Sequence, residues 1–88
     1  MRIANRNSKE YVQQLKPFQG SNLHAVKTSA FYIVYSYGWY PLFLYDYKNN
    51  VWFENEDKYS MSTSKQTTQA RPTNETIKLN KHQIKSLI

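Results

Sequence analysis

The sequence predicts a small α+β domain: a mostly antiparallel sheet of three to five strands, an N-terminal helix, a short polar helix and a C-terminal helix. Eleven of the fourteen aromatic residues lie between Phe31 and Phe53, and aromatic and β-branched residues favour the pleated surface of a sheet. The turn signals Gly38-Trp39 and Asn49-Asn50 divide this stretch into strand-sized pieces. The length of 88 residues allows a single domain, residues 1–88.

The chain before the aromatic stretch predicts a short helix over residues 8–16. Asn7 followed by Glu10 is a capping-box pattern, and Pro17 ends the helix. Its apolar positions form one face that suits a lid over the sheet: Tyr11, Val12 and Leu15. Residues 18–22 then predict a turn.

Two strands are predicted next. Leu23 to Thr28 alternates as an edge strand would, although Asn22 is equally placed to cap a short helix there. Phe31 to Tyr37 is apolar on both faces, which favours a central strand.

A hairpin follows. Leu42 to Tyr47 predicts a strand with Pro41 at its start, where a missing N–H costs least. Asn49-Asn50 predicts a two-residue turn that places Tyr47 opposite Trp52 on a return strand, Val51 to Glu54. A polar, mostly acidic loop then covers residues 55–58.

The remainder predicts two helices and one strand. Thr63 with Gln66 begins a short polar helix that ends near Arg71, because Pro72 disfavours helical geometry before it. Thr76 to Leu79 alternates as a strand. Capping by Asn80 and Gln83 begins a terminal helix with an apolar stripe for docking on the sheet: Ile84, Leu87 and Ile88.

Charge is segregated along the chain. The net charge is +6, distributed as +4 over residues 1–30, −3 over residues 31–57 and +5 over residues 58–88. The two basic flanks favour binding of an anionic polymer, while the acidic middle favours contact with a basic protein surface. Charge also serves solubility, so it indicates a class of partner and no particular site.

Several function classes are disfavoured. His24 and His82 lack a serine-and-carboxylate or metal-ligand context, and the acids around Glu54 lack the spacing of a calcium or magnesium loop. We therefore expect no enzyme, no catalytic residues, no cofactor and no metal. The absence of cysteine and of any stretch near the ~20 apolar residues of a spanning helix predicts a cytoplasmic protein without a membrane partner.

Candidate contacts to nucleic acid come from the basic flank. A helix N-terminus rich in Ser and Thr beside Lys65 offers backbone N–H groups, hydroxyls and a cation to a phosphate, although a solvated helix has the same composition. Lys81 and Lys85 face outward on the terminal helix and form a phosphate-contacting edge, or an ordinary solvated face. The predicted nucleic-acid-binding residues are Lys58, Ser64, Lys65, Arg71, Lys78 and Lys81.

The density of tyrosine has three interpretations: a small core, stacking platforms for unpaired bases, or a protein hot spot. Most rings are expected in the core, because so short a chain has few other large residues. The rings predicted to make contacts are Trp39, Tyr40, Tyr47, Trp52 and Tyr59.

Residues 36–72 contain a recognisable pattern. It begins with Ser36-Tyr37-Gly38 at a strand end and continues with an aromatic hairpin, Tyr59-Ser60, Thr63-Ser64-Lys65 and Arg71. This pattern resembles that of a set of small, largely uncharacterised bacteriophage proteins. The chain departs from that pattern at Gln66, where histidine usually follows the lysine, and at Ser62, where threonine is frequent. The resemblance implies a phage accessory protein acting in the host cytoplasm, and such proteins often bind host machinery, including CRISPR effector complexes.

The sequence thus favours a binding protein that contacts RNA or single-stranded nucleic acid. The resemblance adds inhibition of a host CRISPR or other nucleoprotein complex. The alternative is a protein-only interaction module that uses Trp39, Tyr40 and the acidic hairpin tip. Salt separates the two, because phosphate contacts weaken steeply with added salt and an aromatic anchor loses little.

Overall fold

The computed structural model describes residues 3–4, 7–57, 67, 70–72 and 75–88. These residues contain helices α1 (Ser8–Gln13) and α2 (Lys81–Leu87), together with strands β1 (Phe18–Gln19), β2 (Leu23–Lys27), β3 (Phe31–Ser36), β4 (Tyr40–Asp46), β5 (Val51–Asn55) and β6 (Thr76–Leu79). The strands form one six-stranded sheet in chain order. The first four pairings are antiparallel, and β5 pairs with β6 in parallel. The predicted α+β class is confirmed, and the sheet is larger and more mixed than predicted.

The additional strand is β1, where the sequence predicts a turn. Phe18 pairs with Ala25, and Gln19 pairs with His24, so β2 is not an edge strand. Phe18 is buried, at 4% exposure. A two-residue strand is too short to show an alternating pattern in the sequence. Its distinguishing feature is the burial of the Phe18 ring. The alternative helix at Asn22 is wrong.

The centre of the sheet matches its prediction. In β3, Tyr32, Ile33 and Val34 are at most 1% exposed, as expected for a strand covered on both faces. Strand β4 begins two residues earlier than predicted and includes Pro41. Its register with β3 shifts between Val34 and Tyr35, and such an irregularity accommodates a residue that has no N–H to donate.

The hairpin turn is longer than predicted. Four residues, 47–50, join β4 to β5, and the register sets Tyr45 opposite Trp52. The carboxylate of Asp46 causes this. Its Oδ1 accepts from the backbone N–H groups of Lys48 (2.9 Å) and Asn49 (3.3 Å), which stabilises a wide turn. The predicted two-residue turn with Tyr47 opposite Trp52 is therefore wrong.

The parallel β5–β6 pair needs a long crossover, which residues 56–75 supply. Thr67, Ala70 and Pro72 on this crossover are buried. Ala70 packs in the same cluster as Val12 of α1 and Phe43 of β4, so the crossover covers the face of the sheet that also carries α1. The predicted polar helix from Thr63 to Arg71 lies mostly outside the described residues.

Helix α1 is shorter than predicted and has no capping box. The Asn7 side chain makes no cap hydrogen bond, and its backbone is helical, with φ −94° and ψ −3°, whereas an N-cap residue usually has extended geometry. Helix α1 ends at Gln13, and Leu15 beyond it has φ 56°.

Helix α2 packs on the opposite face of the sheet. Ile84 is fully buried against Ile33 and Leu44. Leu87 and Ile88 remain 39% and 52% exposed, so only one member of the predicted apolar stripe is buried. Of the helices that the structure describes, none has the length and apolar character needed to span a membrane.

Candidate nucleic-acid interface

Four of the predicted contact residues lie outside the described residues: Lys58, Tyr59, Ser64 and Lys65. Their roles stay predictions. The remaining seven are described, and the structure separates them into buried, paired and exposed side chains.

Arg71 is held by a carboxylate. Its Nη1 and Nη2 atoms donate to Oε1 and Oε2 of Glu54, at 2.6 and 2.9 Å. Glu54 is 2% exposed and also accepts from the Thr76 hydroxyl, at 2.7 Å. The guanidinium lies 5.9 Å from the centroid of the Phe43 ring. Arg71 thus neutralises a buried acid, which is a structural role that the sequence analysis did not predict.

Two of the predicted contact rings belong to the core. Trp52 is 6% exposed and packs edge-on against Tyr32 and Phe43, with ring centroids 6.2 and 6.4 Å apart. Tyr40 is 3% exposed. Both rings face the cluster beneath α1 and the crossover, so the expectation that they stand as exposed platforms is wrong.

Tyr47 is partly buried in the turn between β4 and β5. The Lys27 ammonium lies 5.8 Å from its ring centroid, and its hydroxyl oxygen is buried without a hydrogen-bond partner among the described atoms. Burial, with a smaller contribution from Tyr45, raises the pKa of Tyr47. This environment orients the ring toward the protein rather than toward a ligand.

Among the described rings that were predicted to make contacts, Trp39 is the exposed one, with 49% of its surface accessible. It ends the turn between β3 and β4, in which Tyr37 and Gly38 have φ of 56° and 84°. A glycine adopts such a φ without strain, so Gly38 is what permits the tight turn. The indole packs edge-on against Tyr40, with ring centroids 5.4 Å apart and planes at 75°.

One lysine of α2 lies beside this indole, and a second precedes it by about one helical turn. The Lys85 Nζ lies 5.5 Å from the Trp39 centroid and 5.8 Å from that of Tyr40, within the range of a cation–π interaction. Lys81 precedes Lys85 by four residues and therefore lies on the same side of the helix. Both lysines are exposed. We call Trp39, Lys81 and Lys85 the Trp39 platform.

A chain of hydrogen bonds fixes the platform to the sheet. The Tyr40 hydroxyl donates to the carbonyl of Asp57 (2.8 Å), and Asp57 Oδ2 accepts from the backbone N–H of Lys81 (2.9 Å). The Asp57 N–H donates to Asn55 Oδ1 (3.0 Å), and Asn55 Nδ2 donates to the carbonyl of Pro41 (2.8 Å). A carboxylate at a helix N-terminus is also electrostatically favourable. Helix α2 is thereby held in one position over the end of the sheet.

The first turn of α2 is capped as predicted. Asn80 Oδ1 accepts from the N–H of Gln83 (2.8 Å), and Gln83 Oε1 accepts from the N–H of Asn80 (2.9 Å). This confirmed capping box sets the direction in which Lys81 and Lys85 leave the helix.

The structure thus joins Trp39, Tyr40 and Lys81 from the predicted set, with Tyr40 as support. Lys85 was expected on the same outward-facing edge as Lys81 but was left out of the predicted contact set, although its spacing of four residues from Lys81 places the two lysines together. Lys78 is exposed but pairs in register with Glu54, on the face opposite α2. It therefore lies apart from the Trp39 platform.

The acidic residues and histidines form no metal centre within the described ranges, where no group of three or more such side chains is placed to hold an ion. Glu54 and Asp57 are instead used internally, by Arg71 and by Lys81. His24 stacks on Tyr35, with ring centroids 5.2 Å apart and planes at 17°, and burial lowers the pKa of His24.

Fold and site together define a small basic α+β protein with an exposed aromatic and cationic platform on a fixed frame. Comparison of the chain with protein-family models, with curated proteins and with solved structures found no match. The resemblance to small phage proteins stays a prediction.

Proposed function

We propose that the protein binds single-stranded nucleic acid, with RNA as the first candidate, through the Trp39 platform. The observation that carries this proposal is the half-exposed indole of Trp39 with the ammonium of Lys85 beside it and Lys81 one helical turn away. An unpaired base stacks on the indole, and the two ammonium groups contact the adjoining phosphates.

The binding energies of such contacts are consistent with base stacking on the indole and phosphate contact by the two lysines. Stacking of a base on an aromatic side chain contributes about 1–3 kcal/mol and tolerates any base. The ammonium groups add a salt-dependent attraction, and the net charge of +6 raises the local concentration of a polyanion. The frame of hydrogen bonds around Asp57 supports the proposal further, because a platform that is already ordered loses less entropy on binding.

The acidic residues favour nucleic acid over a protein-only module. That alternative needs an acidic hairpin tip that is presented to a partner, yet Glu54 is buried against Arg71 and Asp57 binds the backbone of Lys81, which leaves Glu56 as the exposed acid of that segment. A more specific proposal is that the protein inhibits a host nucleoprotein complex. The Trp39 platform then docks on exposed RNA of that complex and blocks access to the RNA.

The test is fluorescence anisotropy with a labelled 12-nucleotide single-stranded RNA of mixed sequence. Trp39→Ala should weaken binding about 5- to 150-fold, the equivalent of one lost stacking contact, while Trp39→Phe should retain most of the affinity. Trp39 is half exposed, so circular dichroism should show both variants folded. Unchanged affinity in folded Trp39→Ala would remove the Trp39 platform from the proposed function.

A further inference from the structure

A cleft lies at the start of β5 and β6, which is the end of these strands remote from the Trp39 platform. This cleft of about 380 Å³ opens between the β4–β5 turn and the start of β6, within the ~300–1,000 Å³ typical of small-ligand sites. Two aromatic rings line it, Tyr45 and Trp52, which are cross-strand partners with centroids 5.1 Å apart. Trp52 is 6% exposed and belongs to the core, so the partly exposed Tyr45 ring supplies the aromatic surface, which suits a flat, unsaturated ligand.

Hydrogen bonds within the cleft determine which groups are offered to a ligand. The Tyr45 hydroxyl donates to Asn50 Oδ1 at 3.0 Å, which leaves the Nδ2 group as the donor of that amide. The Thr76 hydroxyl donates to Glu54, so its oxygen lone pairs are the group that it offers. Glu75, also on the lining, is exposed, and its ionised carboxylate only accepts hydrogen bonds.

The cleft therefore offers acceptors on the β6 side and an amide donor on the turn side. Guanine matches this arrangement, because its Watson–Crick edge carries two adjacent donors, N1–H and the N2 amino group, beside the O6 acceptor. A carboxylate accepts two parallel hydrogen bonds from such a pair. Adenine and cytosine carry a ring acceptor in place of the N–H, and the N–H of uracil lies between two carbonyl groups.

We infer that this cleft is a guanine-recognition subsite in which Glu75 accepts from N1–H and N2–H, Asn50 Nδ2 donates to O6, and the base packs on Tyr45. Lys78 lies two residues beyond Thr76 on the same face of β6 and is exposed, so it contacts the phosphate beside that base. The inference rests on the proposed function, to which it adds a preference for guanine.

The test uses the whole ¹⁵N-labelled chain and the four nucleoside monophosphates. Guanosine monophosphate should shift the amide signals of Asn50, Glu75 and Thr76, and it should bind about tenfold more tightly than the adenosine, cytidine and uridine monophosphates. Glu75→Gln should remove that preference, because an amide replaces one acceptor with a donor. The matched control is Glu10→Gln, an exposed carboxylate on α1, which should leave the preference intact. Equal shifts with all four nucleotides, or shifts confined to Trp39 and Lys85, would overturn the inference.

A 12-nucleotide oligouridine measured in parallel separates the two proposals. If oligouridine binds in a Trp39-dependent manner while guanosine monophosphate leaves the cleft signals unmoved, the guanine subsite fails and the proposed function stands. If guanosine monophosphate moves the cleft signals while neither oligouridine nor the mixed RNA binds, the cleft is a nucleotide site and the proposed function fails.

Discussion

Arg71 and Glu54 form a two-point ion pair, in which both terminal nitrogens of the guanidinium donate to the two carboxylate oxygens, at 2.6 and 2.9 Å. The pair joins the crossover to β5, and a hydroxyl from β6 completes the carboxylate shell. A buried ionised carboxylate is costly unless it is paired. Arg71, which the sequence predicted as a nucleic-acid contact, therefore holds the crossover on the sheet.

The first prediction concerns this pair. Arg71→Ala should lower the free energy of unfolding by about 2–3 kcal/mol, because it leaves Glu54 buried without its cation. This is less than the ~3–5 kcal/mol of a fully buried pair, since 45% of the Arg71 side chain is exposed and solvent screens part of the interaction. Urea denaturation followed by circular dichroism measures the change.

The matched control for this prediction removes both charges together. Arg71→Met combined with Glu54→Gln should lose less stability than Arg71→Ala alone, because no buried charge is left unpaired. If Arg71→Ala denatures at the same urea concentration as the parent chain, the pair does not stabilise the fold.

The fold was predictable where the local pattern is strong. Burial on both faces marks β3, and alternation marks β6, so both appeared in the sequence at nearly their true bounds. Strand β1 was missed because two residues have no period. The hairpin register was missed because it depends on the Asp46 side chain, whose hydrogen bonds to the turn select four residues over two.

The site was predictable only in part, for a physical reason. Trp39 follows Gly38 in a turn, and a turn places side chains at the surface. Tyr40 and Trp52 are also close to turns, but proximity to a turn says nothing about which face of the sheet a ring occupies. The Arg71–Glu54 pair joins residues 17 positions apart, a separation at which no local pattern indicates contact.

A second prediction concerns pH. His24 packs against Tyr35, and burial lowers its pKa below the ordinary value of about 6.5. The unfolded chain therefore binds the proton more readily than the folded chain does. The stability that neutral His24 contributes is fully present above about pH 6.5 and is lost as the pH falls through the lowered folded pKa.

We accordingly expect the free energy of unfolding to decrease as the pH falls below about 6.5, and His24→Phe should flatten this decrease. His82→Phe provides the control, since His82 lies exposed on α2. Urea denaturation at half-unit pH steps gives the measurement. A His24→Phe variant that follows the same pH profile as the parent chain would assign the effect to other groups.

A third prediction concerns the salt dependence of RNA binding. Each phosphate contact on a single strand contributes about 0.7 to the slope of log affinity against log salt concentration. Lys81→Gln with Lys85→Gln should therefore reduce the slope by about 1.4. The control, Lys9→Gln with Lys48→Gln, removes the same charge from exposed positions on α1 and the β4–β5 turn. An equal loss of slope in both double variants would mean that net charge, and not the Trp39 platform, drives binding.

The last prediction tests whether the cap of α2 matters to the site. Asn80→Ala removes the capping-box hydrogen bond that the Asn80 side chain accepts from the Gln83 N–H and should lower the free energy of unfolding by about 1 kcal/mol. Helix α2 has only seven residues, so loss of the cap should also loosen Lys81 and Lys85 and weaken RNA binding. Asn80→Ser keeps a capping oxygen and should retain both properties. Urea denaturation and anisotropy report them separately: a destabilised Asn80→Ala chain that binds RNA as tightly as the parent would exclude α2 from the interface.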